Sequence, residues 1–536
     1  MHHKPGKAPA FASNAGVSPA QRNYLYFTAA VAGMVIMIVE ILGAKMLAPY
    51  VGTSHFVWTA QIAVTLVALA TGYYVGGRLA DRAQQLGRLY AAILVAAVYL
   101  CVTVLIVKPV AFWCLDFRLA VGSLLASTIL FFVPLALLAM VGPFFVRVLT
   151  QSVSNVGSHV GRLACISTLG SFLGTLLIGY VLIPFLPNST IMLLSASLLM
   201  LVALGYFIRW RTKKTALAAI VLACLAGLSL GWAAINAESK QTWSNASIIF
   251  RGNSNFGQLL VLDVGPQRYY LNDLLVQDRY DVASRKSPAA FTYLMHGLAR
   301  GYQPRIENVL CIGLGVGIVP AEFQREGASV DVVEINPAVV PIATKLFDCP
   351  VEKLNLTIGD GRQFLNRCPR QKYDAVILDA FLGESCPSHL MTHEAFDGIR
   401  AVLKPDGVLV INTFGHLERG GDFLSASLYK TLQSVFHSVR MHHASGSGAI
   451  FFAASDQADL KPLQSPDLDG IHSDCRAEVN NATLGLCEPY PESGIILTDN
   501  YNPAEYYDAV NREAIRKALA SRQREAEMGL MRNGRR

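Results

Sequence analysis

Three acidic residues, Glu334, Asp360 and Asp379, each stand at or just beyond the end of a short apolar run, and a glycine-rich turn, Gly313-Leu314-Gly315-Val316-Gly317, stands before them. Residues of those types in that order have a chemistry. Alternating glycines let a backbone approach a nucleotide closely and pass it to the N-terminus of a helix. A carboxylate about twenty residues further on can accept both hydroxyls of a ribose. Singly, each acid reads equally well as a helix N-cap or a turn residue. Together they mark the edge at which open α/β sheets bind ligands, the C-terminal ends of successive strands.

The elements that must position these groups follow from the hydrophobic pattern. Residues 309–312, 329–335, 354–358 and 373–378 are apolar runs of strand length, and 407–413 and 448–454 read as further strands, with 422–439 mostly helix. The expected fold is a soluble α/β domain with a Rossmann-like sheet of the class I methyltransferase type. Pro387-Ser388-His389-Leu390, after Asp379, reads as a lid segment in which His389 makes a structural contact.

The order of glycine loop, Glu334, Gly359-Asp360-Gly361 and Asp379 resembles the S-adenosylmethionine-dependent enzymes, and among them the spermidine synthases, over residues 246–455. Phe256-Gly257-Gln258 and Asp273-Leu274-Leu275-Val276-Gln277 are similar to the N-terminal β-hairpin and the Asp-Gly-x-x-Gln segment of that family. The resemblance implies a nucleoside sulfonium substrate, S-adenosylmethionine or its decarboxylated form, with methylthioadenosine as product. It assigns binding to Gln258, Gln277, Gly313, Gly315, Gly317, Glu334, Asp360 and Gly361. Asp379 is then the catalytic base, with Tyr293 or Asp273 as further bases. No metal is implied, and no Cys/His cluster has metal-ligand spacing.

The remainder is unlike a soluble enzyme. Of the 536 residues 52% are hydrophobic and only 15% charged, against roughly a quarter charged in ordinary globular domains. Seven apolar stretches, 24–47, 56–77, 89–107, 119–142, 163–185, 189–208 and 215–236, approach or exceed the ~20 residues that cross a bilayer. The chain divides into a disordered tail (1–23), a transmembrane helical bundle (24–236), the synthase-like domain (237–510) and a basic helical tail (511–536). Leu47-Ala48-Pro49-Tyr50-x-Gly52-Thr53-Ser54, Gly76-Gly77-Arg78-Leu79-Ala80-Asp81-Arg82 and Leu497-Thr498-Asp499-Asn500-Tyr501 resemble bacterial proteins in which a transporter-like bundle is fused to a spermidine synthase-like domain. Twelve Lys and Arg residues on one side against three on the other predict a cytoplasmic N-terminus in a bacterial inner membrane. Seven spans then leave the C-terminal domain extracytoplasmic. In that compartment Cys475 and Cys487, and Cys349 and Cys368, are either disulfides or free thiols. The expected partners are the lipid bilayer, the sulfonium substrate, a polyamine and a second copy of the chain, with no nucleic acid.

The departures from the synthase pattern bear on the reaction. Family carboxylates are replaced by Val316 in the glycine loop and by Leu382 after Asp379, and Phe291-Thr292-Tyr293 stands where Tyr-x-Glu is expected. The site is therefore expected to hold adenosine but to have a degenerate polyamine-acceptor half, favouring release of methylthioadenosine by a lyase or hydrolase reaction. An aminopropyltransferase with an altered acceptor, a methyltransferase and a non-catalytic nucleoside sensor remain the alternatives.

Overall fold

The computed structural model describes residues 17–83, 85–150, 156–210, 214–239, 246–381, 387–418, 421–444, 448–490, 492–507, 512–518 and 521. Seven helices among them are long and apolar enough to cross a membrane. They are α1 (Pro19–Val51), α2 (His55–Arg82), α3 (Leu86–Cys114), then Leu119–Leu149, Val156–Phe185, Asn188–Trp210 and Lys214–Ser239. Helix α1 begins at Pro19, inside the stretch expected to be a tail, because Ser18 caps it by accepting from Gln21 N–H (3.3 Å). Residues 1–16 lie outside the described residues.

Small residues bring the helices together. At Gly170 and Gly174 an added Cβ would collide with the backbone of Ala30 and Met34 on α1, and at Gly72 and Gly76 on α2 with Ala136 and Met140. Two five-residue π-helical segments, Thr128–Phe132 and Ile178–Leu182, lie just before Pro134 and Pro184, residues that have no N–H to donate to a regular helical ladder.

Beyond the bundle lie two sheets. The first is antiparallel, in the order β1 (Ala246–Ser254), β2 (Gly257–Val264), β3 (Gln267–Asn272), β4 (Leu275–Asp281). Four strands thus stand where a hairpin is expected, because the turns at Gly265 and at Asp273-Leu274 each return the chain; all three residues have positive φ.

The second sheet comprises β5 (Asn308–Ile312), β6 (Ser329–Glu334), β7 (Asn355–Ile358), β8 (Tyr373–Leu378), β9 (Leu403–Phe414), β10 (Ser438–Ala444), β11 (Ala449–Ser455) and β12 (Leu486–Cys487). Its order is β12-β10-β11-β9-β8-β5-β6-β7, with β5 to β9 parallel and β11 antiparallel to its neighbours. Strand β5 is flanked by β6 and β8, and the connections from β5 to β6 and from β8 to β9 leave in opposite directions, so the switch point lies between the C-terminal ends of β5 and β8. The apolar layers on the two faces are built around Val309, Cys311 and Ile377 on one side and Leu310, Ile312 and Leu378 on the other.

Two further expectations are refined: 422–439 is mostly helix, as expected, and the open question of the thiols is decided. Within 422–439 the helix runs over Phe423–Gln433, and β10 starts at Ser438. The chain turns at residues 434–437, where Phe436 is buried and closes the core. Cys349, Cys368, Cys475 and Cys487 are free thiols. The Cys475 thiol donates to Ser287 O and the Cys487 thiol to Met441 O, so each is held by a different element and the two do not pair.

Bundle and domain touch at several points. Lys45 Nζ on α1 donates to Asn255 O (3.0 Å), and Asn253 Nδ2 donates to Leu186 O (3.3 Å). A helical turn spanning residues 512–518 lies between them. From it the buried Arg516 donates both to Pro49 O at the end of α1 (2.8 Å) and to Asp273 O (3.3 Å).

Candidate functional site

The switch point between β5 and β8 opens into a cavity of about 460 Å³ between the two sheets. Its floor is the glycine turn. Gly313 has φ +105°, donates its N–H to Val333 O (2.9 Å), and has no room for a Cβ because the Asp379 carbonyl lies against it. Gly315 also lines the cavity, while Gly317, at φ +85°, packs against Cys349 instead.

Glu334 ends β6, buried in the wall. Its Oε2 accepts from Leu314 N–H (2.9 Å) and its Oε1 from Asn336 N–H (2.7 Å). Burial raises its pKa against the pull of these backbone donors. The carboxylate is fixed in direction, and each oxygen keeps a lone pair for a ligand hydroxyl.

Asp360 caps the short helix Gly361–Leu365 by accepting from Gln363 N–H (2.9 Å), and its other oxygen contacts His389 Nε2 (2.9 Å). Burial alone would raise its pKa, but the Gln363 bond and the His389 contact outweigh it and hold the carboxyl below the usual range. His389 itself lines the cavity beside Asp360. Leu382 lies outside the described residues.

Asp379 stands just beyond β8 beside β5, half-buried in the cavity wall. Burial pushes it up to about 6, partly opposed by a hydrogen bond from Asn412 Nδ2 to its Oδ1 (3.0 Å). A carboxylate with that value takes up and gives back protons close to neutrality, as a general base requires.

Gln277 and Phe291 also line the cavity, whereas Tyr293, Asp273 and Gln258 do not. Phe291 and Tyr293 belong to the helix Ala290–Tyr302, where two residues turn about 200°, so one ring faces the cavity and the other faces away. Tyr293 Oη accepts from His472 N–H (3.4 Å), and burial pushes its phenol up to about 12. Asp273 Oδ1 accepts from Gln258 N–H (2.9 Å), which ties the β3–β4 turn to β2. Neither is placed to act as a base in this cavity.

Two cavity residues escaped the sequence reading. Asp278, on β4, is 7% exposed, with Oδ2 at 3.5 Å from Val316 N. Burial, and then the charge of Asp379, raise its pKa well above the usual carboxylate value. Asn412, on β9, is the Asp379 partner. The one available signal for each was a polar residue within a strand-length run: Asp278 next to Gln277, and Asn412 closing Val408-Leu409-Val410-Ile411.

A family model described as the spermine/spermidine synthase domain matches residues 290–444. A polyamine aminopropyltransferase of Vibrio vulnificus is 33% identical over 213 residues, 38% of this chain and 70% of that protein. A spermidine synthase of Solanum lycopersicum is 31% identical over 30% of this chain and 48% of its own length. An N-terminal histidine N-methyltransferase of Emericella nidulans is 36% identical over 27% of this chain and 26% of its own length. The chain thus spans less than half of the last two relatives. Among solved structures, the spermidine synthase of Thermotoga maritima superposes with a TM-score of 0.36 at 17% identity, covering 45% of this chain and 84% of that one. Through the domain that carries Glu334, Asp360 and Asp379, the chain belongs to the spermine/spermidine synthase family.

Proposed function

We propose that the domain transfers an aminopropyl group from decarboxylated S-adenosylmethionine to a small amine, attached to a bilayer by the seven apolar helices. The observation that carries this reading is the cavity at the end of β5, walled by Glu334, Asp360 and Asp379. Glu334 takes the ribose hydroxyls, Asp360 the adenine amino group, and Asp379 the proton of the attacking amine. The amine lone pair forms a bond to the carbon attached to sulfur. The S–C bond breaks with its pair on sulfur, so that methylthioadenosine leaves as a neutral thioether and Asp379 accepts one N–H proton. The excess of Lys and Arg on alternate loops favours an extracytoplasmic domain in a bacterial cell membrane.

A second reading is favoured by Phe291, whose apolar ring lines the cavity where a charged acceptor would need a partner. In it methylthioadenosine is released without an amine. One experiment separates the readings: purified full-length protein is incubated with decarboxylated S-adenosylmethionine, with and without putrescine, and products are identified by mass. Spermidine formation that falls at least ~100-fold in Asp379→Asn supports transfer. Methylthioadenosine without spermidine supports the second reading, and no product with either mixture leaves a nucleoside sensor.

A further inference from the structure

The cavity wall holds five carboxylates against one arginine, Arg279, and no lysine among the described residues. At one end of it lie Asp278, Asp379 and Asn412. Asp278 Oδ1 and Asn412 Oδ1 are both buried without a hydrogen-bond partner. Asn412 must turn its amide nitrogen to Asp379 Oδ1, which leaves its oxygen facing away from that bond. Asp278 and Asp379 also share the lining of a second, water-sized cavity of about 10 Å³ behind Gly313. This corner therefore offers acceptors from three side chains, and the donors that reach it, Val316 N–H and Asn412 Nδ2, leave Asp278 Oδ1 and Asn412 Oδ1 unmet. Burying unpaired acceptors costs stability, so their persistence in a cavity points to a ligand that brings donors.

A primary ammonium group is that ligand: it carries a positive charge, three N–H donors and no acceptor. We infer that Asp278, a residue outside the 290–444 stretch matched by the family model, binds the ammonium tail of the sulfonium donor together with Asp379 and Asn412, and so selects an amine-tailed donor over an amino-acid-tailed one. The inference rests on the nucleoside-binding reading of the same cavity and adds a specificity residue to it. It also accounts for Val316: the glycine turn presents Val316 N–H, not a side-chain acid, to this corner, and Asp278 reaches the same place from β4.

The test uses full-length protein in detergent and three ligands: methylthioadenosine, which lacks the tail, decarboxylated S-adenosylmethionine, whose tail ends in an ammonium, and S-adenosylmethionine, whose tail adds a carboxylate. In the wild type the decarboxylated donor should bind at least ~10-fold more tightly than S-adenosylmethionine, and Asp278→Asn should lose that preference while its methylthioadenosine affinity changes less than about twofold. Unaltered methylthioadenosine binding also reports that the variant is folded. Equal weakening of all three ligands would assign Asp278 to the fold and overturn the inference, as would an unchanged preference. A wild type that fails to bind methylthioadenosine would overturn both the nucleoside reading and this one.

Discussion

Asp379 has a pKa pushed up to about 6 because burial in the cavity wall strips its carboxylate of part of its hydration, and this sets both a rate and a stability profile. Turnover by a base needs the ionised form, so the rate should rise with pH through about 6. For stability the sign is opposite. The folded value lies above the ordinary 3.8, so the native state holds a proton that the unfolded chain has already lost. The contribution is fullest below 3.8 and is lost as pH rises through about 6. Asp379→Asn, which removes the titrating group, should therefore raise the unfolding temperature at pH 8, by the equivalent of roughly 3 kcal/mol, and leave it nearly unchanged at pH 4. Thermal unfolding followed at both pH values checks this; equal effects at the two would show that ionisation is not the cause. Activity and stability pull against each other at this residue.

Strand ends supply the site, and the glycine turn decides whether they converge. Gly313 takes a positive φ against the Asp379 carbonyl, so Gly313→Ala should lower stability by about 2 kcal/mol and abolish methylthioadenosine binding, while a control at the open Gly359 should do far less. Calorimetric titration of both variants tests it. Gly313, Glu334, Asp360 and Asp379 were legible in the sequence because parallel strands announce themselves as apolar runs and place their successors at one edge. Asp278 and Asn412 were not, because each lies within a strand, Asp278 in antiparallel β4 and Asn412 in β9, and not just beyond the end of a parallel apolar run. Asp273 and Asp278 show the difficulty within one stretch. The irregular pairing at Tyr270 and Leu271 and the left-handed residues Asp273 and Leu274 turn the first acid to Gln258 N–H and the second to the cavity. Tyr293 failed for a simpler reason: helical geometry had already assigned the cavity to Phe291 two residues earlier.

Across the whole molecule, the bundle and the domain are joined by side chains that meet backbone carbonyls. Arg516→Ala would leave Pro49 O and Asp273 O without this donor, and the β3–β4 turn beside the cavity would lose a support. Donor affinity should fall several-fold, by about 1 kcal/mol, with the chemical step little changed. Single-turnover measurements separate the two, and an altered chemical step with unaltered affinity would contradict this account. The seven apolar helices were readable from composition, as was the α/β character of the domain, but their mutual arrangement was not, since it depends on contacts such as Lys45 with Asn255 that no periodicity encodes. Helix α1 is 33 residues long, or about 50 Å at 1.5 Å per residue, and Pro49 stands at its far end. As a lever of that length it converts a tilt of about 2° into a displacement of about 1.7 Å, enough to break the 2.8 Å bond to Arg516. In the membrane-attached reading proposed above, a change in bilayer thickness that tilts α1 would reach the β3–β4 turn beside the cavity through Arg516.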